Sequence, residues 1–428
     1  MNTSLVCEPR LVPSTLTRVP CLLQWFFLRA LRSFKHGGLK LTLPDGTTHR
    51  LGAPDAEVTA DLHIHERAFF TRAVLFGNVG FGEAYVDSLW DTHDLRALLE
   101  WFIINLRHHP HARSSSQRVP GLGWFHLSNR IFHLLRSNSI FNSKRNIQEH
   151  YDLGNDFYQL WLDPSMTYSA AKFTHADQSL ASAQEAKYEA LCQKLRLQPG
   201  DRVLEIGCGW GGFSIHAATR YGCHVTGITI SQAQFDEATR HVKAAGLSDR
   251  IDIRLQDYRL VTGQFDKVAS IEMLEAVGDK YLEPYFAKCD EVLAPNGLLA
   301  FQCITVPDNE YADLKRGTDW IQKHIFPGSL LLSLGRVNQA INRTSDLVLH
   351  QIEDLGAGYA RTLREWWITF NQRLNDVRDL GFDERFIRKW NYYLRYCEAA
   401  FATRCISVVQ VCYTKPGNAS LHREDGVS

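Results

Sequence analysis

Residues 201–213, DRVLEIGCGWGGF, hold the first group of side chains that could do chemistry. An apolar run containing Glu205 breaks into Gly207, Gly209, Gly211 and Gly212 before an apolar-periodic helix begins near Phe213. A buried parallel strand, a glycine turn and a helix in that order make a crevice at the carboxyl end of the strand, where a ligand backbone or nucleotide can approach closely. The spacing also fits GxGxxG, which by itself is a weak dinucleotide signal. A dinucleotide site wants a carboxylate at the tip of the second strand to hold ribose hydroxyls. Here that strand, 224–228, runs into Thr229, Ile230 and Ser231, and the nearest acid, Asp236, falls inside the next helix. The amide of Gln234 could accept from a ribose hydroxyl instead. Asp257, at the end of the third strand, could meet an adenine amino group, with Gln256 and Tyr258 beside it. Taken singly, Gln234 reads equally as a surface helix residue and Asp257 as a helix cap. Together with Glu205 they fit S-adenosylmethionine better than a dinucleotide.

The elements that must position these residues follow from the alternation of strands and helices after about residue 185, which argues for a mostly parallel sheet. Strands are expected at 202–206, 224–228, 251–255, 265–270, 298–305 and 406–413, and Ser231 is a good N-cap for a helix over 231–245. Residues 306–365 interrupt the alternation with helical and loop material, the usual source of a substrate pocket or lid. Upstream, 39–51 alternates around Asp45-Gly46 as a hairpin, 58–64 reads as a strand and 66–75 as a helix. Residues 77–106 read as a turn and two helices, with Asp94 as a cap. The chain is thus expected as a small α+β domain (1–106) and a basic-aromatic linker (107–145). A Rossmann-like α/β catalytic domain (146–415) and a disordered tail (416–428) complete it.

Composition excludes several classes. The 428 residues are 45% hydrophobic and 22% charged, with 47 basic and 47 acidic residues, so no global charge points to nucleic acid. The ten cysteines form no metal-ligand spacing and read as reduced thiols of a cytoplasmic protein. A cluster at His108, His109 and His111 reads as solvated linker rather than a metal site. No secretory signal and no bilayer-spanning run are present. Two short apolar-basic stretches, 22–34 (LLQWFFLRALRSF) and 124–135 (WFHLSNRIFHLL), are suited to lying on a membrane surface, although a core helix is an equal reading of the first.

Several longer segments carry a family resemblance. Residues 147–173 (IQEHYDLGNDFYQLWLDPSMTYSAAKF), the glycine motif, 227–234 (GITISQAQ), 270–281 (SIEMLEAVGDKY), 325–328 (IFPG), 356–359 (GAGY) and 392–404 (YYLRYCEAAFATR) occur in one order. They resemble the cyclopropane-fatty-acyl-phospholipid synthases over about 145–415, and more loosely upstream. The resemblance implies a class I methyltransferase fold. It also implies S-adenosylmethionine-dependent addition of a methylene across a cis double bond of a phospholipid acyl chain, at the inner face of a membrane. A homodimer is a further candidate assembly. It implies that Tyr168 and Ser169 hold the methionine end of the cofactor. It implies a bound bicarbonate as base, held by Glu275, the backbone of Ile304, Tyr359, and a cysteine and a histidine.

The last two positions depart from the family: they are Ala170 and Gln302. Gln302 can still donate to an anion, whereas Ala170 offers no side-chain partner. This bears on ring closure more than on methyl transfer, so a methyl-branched or methylene product is the same-class alternative. A lipid-binding homologue without activity is the other. Glu275 alone could be a carboxylate favoured by a helix dipole, and Tyr359 an ordinary half-buried tyrosine. Cys397, where family members often have cysteine, reads as a packing thiol more than a nucleophile.

Overall fold

The computed structural model describes residues 18–53, 55–108 and 153–421. Residues 109–145 of the linker expected at 107–145, the apolar-basic stretch 124–135, the start of the family segment at 147–152 and the last seven residues lie outside them. The chain divides into two compact units, Met1–Phe125 and His126–Ser428.

In the first unit, α1 (Arg18–Leu31) is followed by β1 (Gly38–Thr42), β2 (Thr48–Gly52) and β3 (Val58–Ile64). The expected hairpin forms: Gly46 takes φ +83, Asp45 accepts from Thr47 N, and Lys40 pairs with Arg50. α2 (Ala68–Val86) runs well past the expected end at residue 75. It absorbs Gly77 as a kink at φ +56 rather than stopping there. A short strand, β4 (Trp90–Asp91), precedes α3 (Leu95–His108), whose first turn Asp94 caps through Ala97 N. Arg107 and His108, expected in the linker, complete this helix. The sheet order is β2-β1-β3-β4. α1 buries Phe27 against Phe69 and Phe70 while leaving Leu22, Trp25 and Phe26 about half exposed.

The second unit is built on a seven-stranded sheet. Its strands are β5 (Arg202–Ile206), β6 (His224–Thr229), β7 (Ile251–Leu255), β8 (Phe265–Ile271), β9 (Leu293–Thr305), β10 (Val348–Asp354) and β11 (Ser407–Thr414), in the order β10-β11-β9-β8-β5-β6-β7. The five strands β5 to β9 pair parallel, and β11 and β10 add antiparallel. Both faces of the central strands are covered. Leu204, Val268 and Phe301 join one apolar cluster, and Val203, Ala269 and Ala300 join the other, which is why these strands read as continuous apolar runs. The chain leaves β5 in one direction for β6 and β7, then returns to the other side as β8. This switch point opens a crevice above β5.

Two departures from sequence expectation concern the edges. The interruption at 306–365 contains the edge strand β10, whose residues are mostly exposed. Its pattern lacks the apolar run of a central strand, because its side chains are exposed on both faces. The tail is ordered at least to Leu421: the buried Asn418 donates to the carbonyls of Asn296 and Gly297 and to Thr414. Among the described residues no helix is long and apolar enough to cross a membrane, and the described cysteines are free thiols.

Candidate active site

The glycine turn stands at the carboxyl end of β5. Gly207 has φ +82, and a Cβ there would lie 2.7 Å from the Met273 side chain, so both conformation and space demand glycine. Gly209 and Gly211 are also left-handed, and Gly211 caps the helix Gly212–Tyr221, whose free N–H groups face the crevice end. Glu205 is buried just below and accepts from the Ser214 hydroxyl; burial pushes its carboxyl up to about 8. On the neighbouring strand tip, Thr229 donates to the Gln234 side-chain oxygen at 2.8 Å, and Ser231 caps the helix Gln232–Ala244 through Gln234 N. Gln234 is therefore a buried residue, not a surface one. Ile230 lies between them in the turn after β6. Asp257 caps the short 3-10 helix Tyr258–Leu260 and also grips Arg259 with both oxygens, at 2.8 and 2.6 Å. Gln256 donates to Leu260 O, bracing the same turn. This cradle has the strand-end glycines, buried acid and polar strand tips that S-adenosylmethionine needs.

A second group of side chains meets at the ends of β8 and β9. β8 ends at Ile271, and Glu272 takes φ +49, a conformation unfavourable for a side-chain-bearing residue. The turn is fixed by Glu272 N donating to Gln302 O at 2.8 Å. The Glu272 carboxylate then accepts three hydrogen bonds. Ala170 N and Gln302 Nε2 donate to Oε1, both at 2.8 Å, and the Tyr359 hydroxyl donates to Oε2 at 2.8 Å. Glu275, in the 3-10 helix Leu274–Ala276, accepts from Ile304 N at 2.5 Å. Its other oxygen is buried with no hydrogen-bond partner among the described residues. Burial, and then repulsion from Glu272, raises the Glu275 carboxyl to about 8. Burial likewise raises Glu272, opposed by its three donors and by Lys187.

Tertiary packing delivers the donors. Gly358 lets the helix Gly356–Gln372 approach Ala171 O, where a Cβ would lie at 2.7 Å, and Thr362 accepts from Ala171 N. Tyr359 is thereby placed over Glu272. Ser169 accepts from the buried ammonium of Lys187 at 2.7 Å. Burial lowers Lys187 to about 8, against the attraction of Glu272, Asp163 and Glu205. Tyr168 shares a hydroxyl–hydroxyl contact with Tyr393 and packs among Trp161, Trp366 and Phe326. Tyr359 stacks near Phe401. Cys397, on the helix Glu384–Ala402, is a thiol that burial holds well above its usual range, a poor nucleophile.

The structure thus brings Glu275, Ile304, Gln302, Ala170 and Tyr359 together, with Ser169 joined to them through Lys187. Sequence reasoning passed over Glu272 and Lys187. The available signal for Glu272 was a second acid three residues before Glu275, immediately after an apolar strand.

The family described as mycolic acid cyclopropane synthetase matches residues 139–411. The tuberculostearic acid methyltransferase UfaA1 of Mycobacterium tuberculosis is 37% identical over 90% of this chain and 90% of its own. The cyclopropane-fatty-acyl-phospholipid synthase of Escherichia coli K12 is 34% identical over 88% of this chain and 96% of its own. Among solved structures, the mycolic acid cyclopropane synthase CmaA1 complexed with SAH and CTAB superposes with TM-score 0.59 at 28% identity, covering 64% of this chain and 98% of that one. The cyclopropane synthase MmaA2 of Mycobacterium tuberculosis gives the same values. The chain belongs to the mycolic acid cyclopropane synthetase family and is an S-adenosylmethionine-dependent methyltransferase.

Proposed function

We propose that the protein transfers a methyl carbon from S-adenosylmethionine to the cis double bond of unsaturated phospholipid acyl chains, giving cyclopropane fatty acyl groups. The observation that carries this reading is the carboxylate pair Glu272–Glu275 set beside aromatic side chains. When bound, the cofactor supplies an electrophilic methyl, which an alkene is nucleophilic enough to take. The cradle residues Glu205, Gly207, Gly209, Gly211, Thr229, Ile230, Gln234, Gln256, Asp257 and Tyr258 would hold its nucleoside end, and Tyr168 and Ser169 its methionine end. An acyl chain that has received the methyl carries a positive charge on carbon. A fixed negative charge in a dry site stabilises it strongly, because little solvent screens the interaction. The faces of Tyr168, Trp366 and Phe326 favour a cation in the same way, and their apolar surface suits the chain.

The departures at Ala170 and Gln302 favour one second reading, a product in which the proton is lost without ring closure, leaving a methylene branch. Reaching a saturated methyl branch from there needs a hydride donor as well. Access to the lipid fits α1, where Leu22, Trp25 and Phe26 are exposed beside Arg29. This supports work at a membrane surface.

The test is incubation with methyl-labelled S-adenosylmethionine and vesicles of cis-monounsaturated phospholipid, followed by proton NMR of the extracted lipid. High-field ring protons are expected. Label without them selects the methylene reading, and no label in lipid would refute both.

A further inference from the structure

The groups that an external anion would need are already engaged. Ala170 N, Gln302 Nε2 and the Tyr359 hydroxyl all donate to Glu272. Ile304 N donates to Glu275. Gln302 cannot turn away, because its amide is oriented by a chain of side chains. Lys194 can only donate, so it fixes the oxygen of Gln410 at 2.9 Å. The Gln410 amide hydrogens then point to Lys187 O and to the Gln302 oxygen, both at 3.1 Å. That leaves the two Gln302 amide hydrogens for Glu272 and for Ala170 O. Of the five groups that the family resemblance assigns to bicarbonate, three hold the Glu272 carboxylate and a fourth holds Glu275, itself the fifth. Bicarbonate does not fit a donor set so occupied.

We propose that Glu272 is a built-in replacement for the bound anion: its carboxylate faces the charged carbon of the alkylated acyl chain and takes the proton that must leave. This rests on the acyl-chain reading above. The step balances within the groups named. The double bond's electron pair has made the new carbon–carbon bond to the arriving methyl, leaving its partner carbon electron-deficient. One C–H bond of that methyl breaks, and the proton goes to Glu272. The released pair closes the cyclopropane ring on the deficient carbon; where a hydride has first shifted from the methyl-bearing carbon to the deficient one, the same pair forms a carbon–carbon double bond to the methyl carbon instead. No oxidant or reductant is consumed.

The two carboxyls divide the work according to their surroundings. Burial raises both carboxyls, but at Glu272 three donors and the nearby Lys187 ammonium oppose it. Glu275 has one donor, a second oxygen without a partner and a charged neighbour, so it is the member that keeps a proton near neutrality. A hydrogen-bonded carboxylate is a weak base, yet a C–H bond beside a carbocation is acidic enough for one. The left-handed backbone of Glu272 is unfavourable for a residue with a side chain, and its three hydrogen bonds offset that strain. It also makes glycine a well-tolerated replacement.

The experiment uses the full chain, its Glu272→Gln and Glu272→Gly variants, 13C-bicarbonate NMR titration, and turnover on phospholipid vesicles in bicarbonate-depleted buffer. The natural protein is expected to show no bicarbonate binding and no loss of turnover on depletion. Glu272→Gln should lose about 1000-fold in turnover while keeping its affinity for S-adenosylmethionine. Glu272→Gly should bind bicarbonate and regain part of its turnover when bicarbonate is added. Bicarbonate binding by the natural protein, a fall in its turnover on depletion, or full turnover by Glu272→Gln would each overturn the proposal. The NMR contrast is read without turnover. If the acyl-chain reading alone is wrong, the lipid assay is silent while the binding contrast between natural and glycine forms persists.

Discussion

The glycine-lined wall of the site comes from one stretch, 205–212, with two neighbouring strand tips completing it. The carboxylate wall draws on residues 169–170, 187, 272–275, 302–304 and 359. In the first, backbone conformation does the work, and each glycine acts where it stands in the chain. In the second, every important atom is placed by a partner far away in sequence: Glu272 is held by residues 102, 30 and 87 positions distant. The consequence is an asymmetry in tolerance. The cradle can lose a single polar contact and keep its shape. The carboxylate wall is a closed network, in which a missing member leaves a buried group unpaired.

That asymmetry can be broken from the carboxylate side first. Glu272→Gln is the most damaging change expected, for the reason tested above. Glu275→Ala comes next: turnover should fall about 100-fold with S-adenosylmethionine affinity kept, measured by calorimetry and initial rates. Unchanged turnover would remove Glu275 from the reaction. Gln410→Leu should cost less, about 1–3 kcal/mol of stability, because the Gln302 oxygen and Lys187 O lose their donor while Lys194 keeps Glu353. It should also lower turnover, because Gln302 is then free to turn its oxygen toward Glu272. A denaturant melt and a rate measurement on the same sample check both, and loss of stability without loss of rate would break the link between Gln410 and the site.

From the cradle side the expected effect is smaller and concerns pH. Glu205 is raised from 4.5 to about 8 in the folded protein. Its protonated form is therefore favoured by folding, and the stability it contributes is complete below pH 4.5 and lost as pH rises through 8. Glu275 acts with the same sign. Lys187, lowered from 10.5 to about 8, stays protonated in both states below that point and contributes with the opposite sign only above it. Thermal melts of the cofactor-free protein should thus fall between pH 5 and 8, and Glu205→Gln should flatten the fall; an equal slope would contradict the burial argument. The smallest effect lies outside the site. Replacing Leu22, Trp25 and Phe26 together with serine should weaken co-sedimentation with anionic phospholipid vesicles while leaving S-adenosylmethionine affinity unchanged, and undiminished sedimentation would separate α1 from membrane contact.

What could be read in the chain followed from local rules. Apolar runs marked β5, β8 and β9 because both faces of those strands are covered, and the glycines marked the turn because only they adopt it. Ser231 and Asp94 declared helix starts through a side chain that reaches its own backbone. Edge strand β10 escaped notice because, exposed on its outer side, it shows no apolar run. The helix expected to end near residue 75 continues because packing of Phe69, Val79 and Phe70 outweighs one glycine at 77. The sequence by itself determined a strand–turn–helix cradle and the family motifs, including the substitutions to alanine and glutamine at 170 and 302. Only the tertiary structure decided what those substitutions mean. Hydrogen bonds from three segments 30, 87 and 102 residues away turn a strained glutamate into their common acceptor, and no local pattern encodes that, because donor direction is set by packing rather than by spacing.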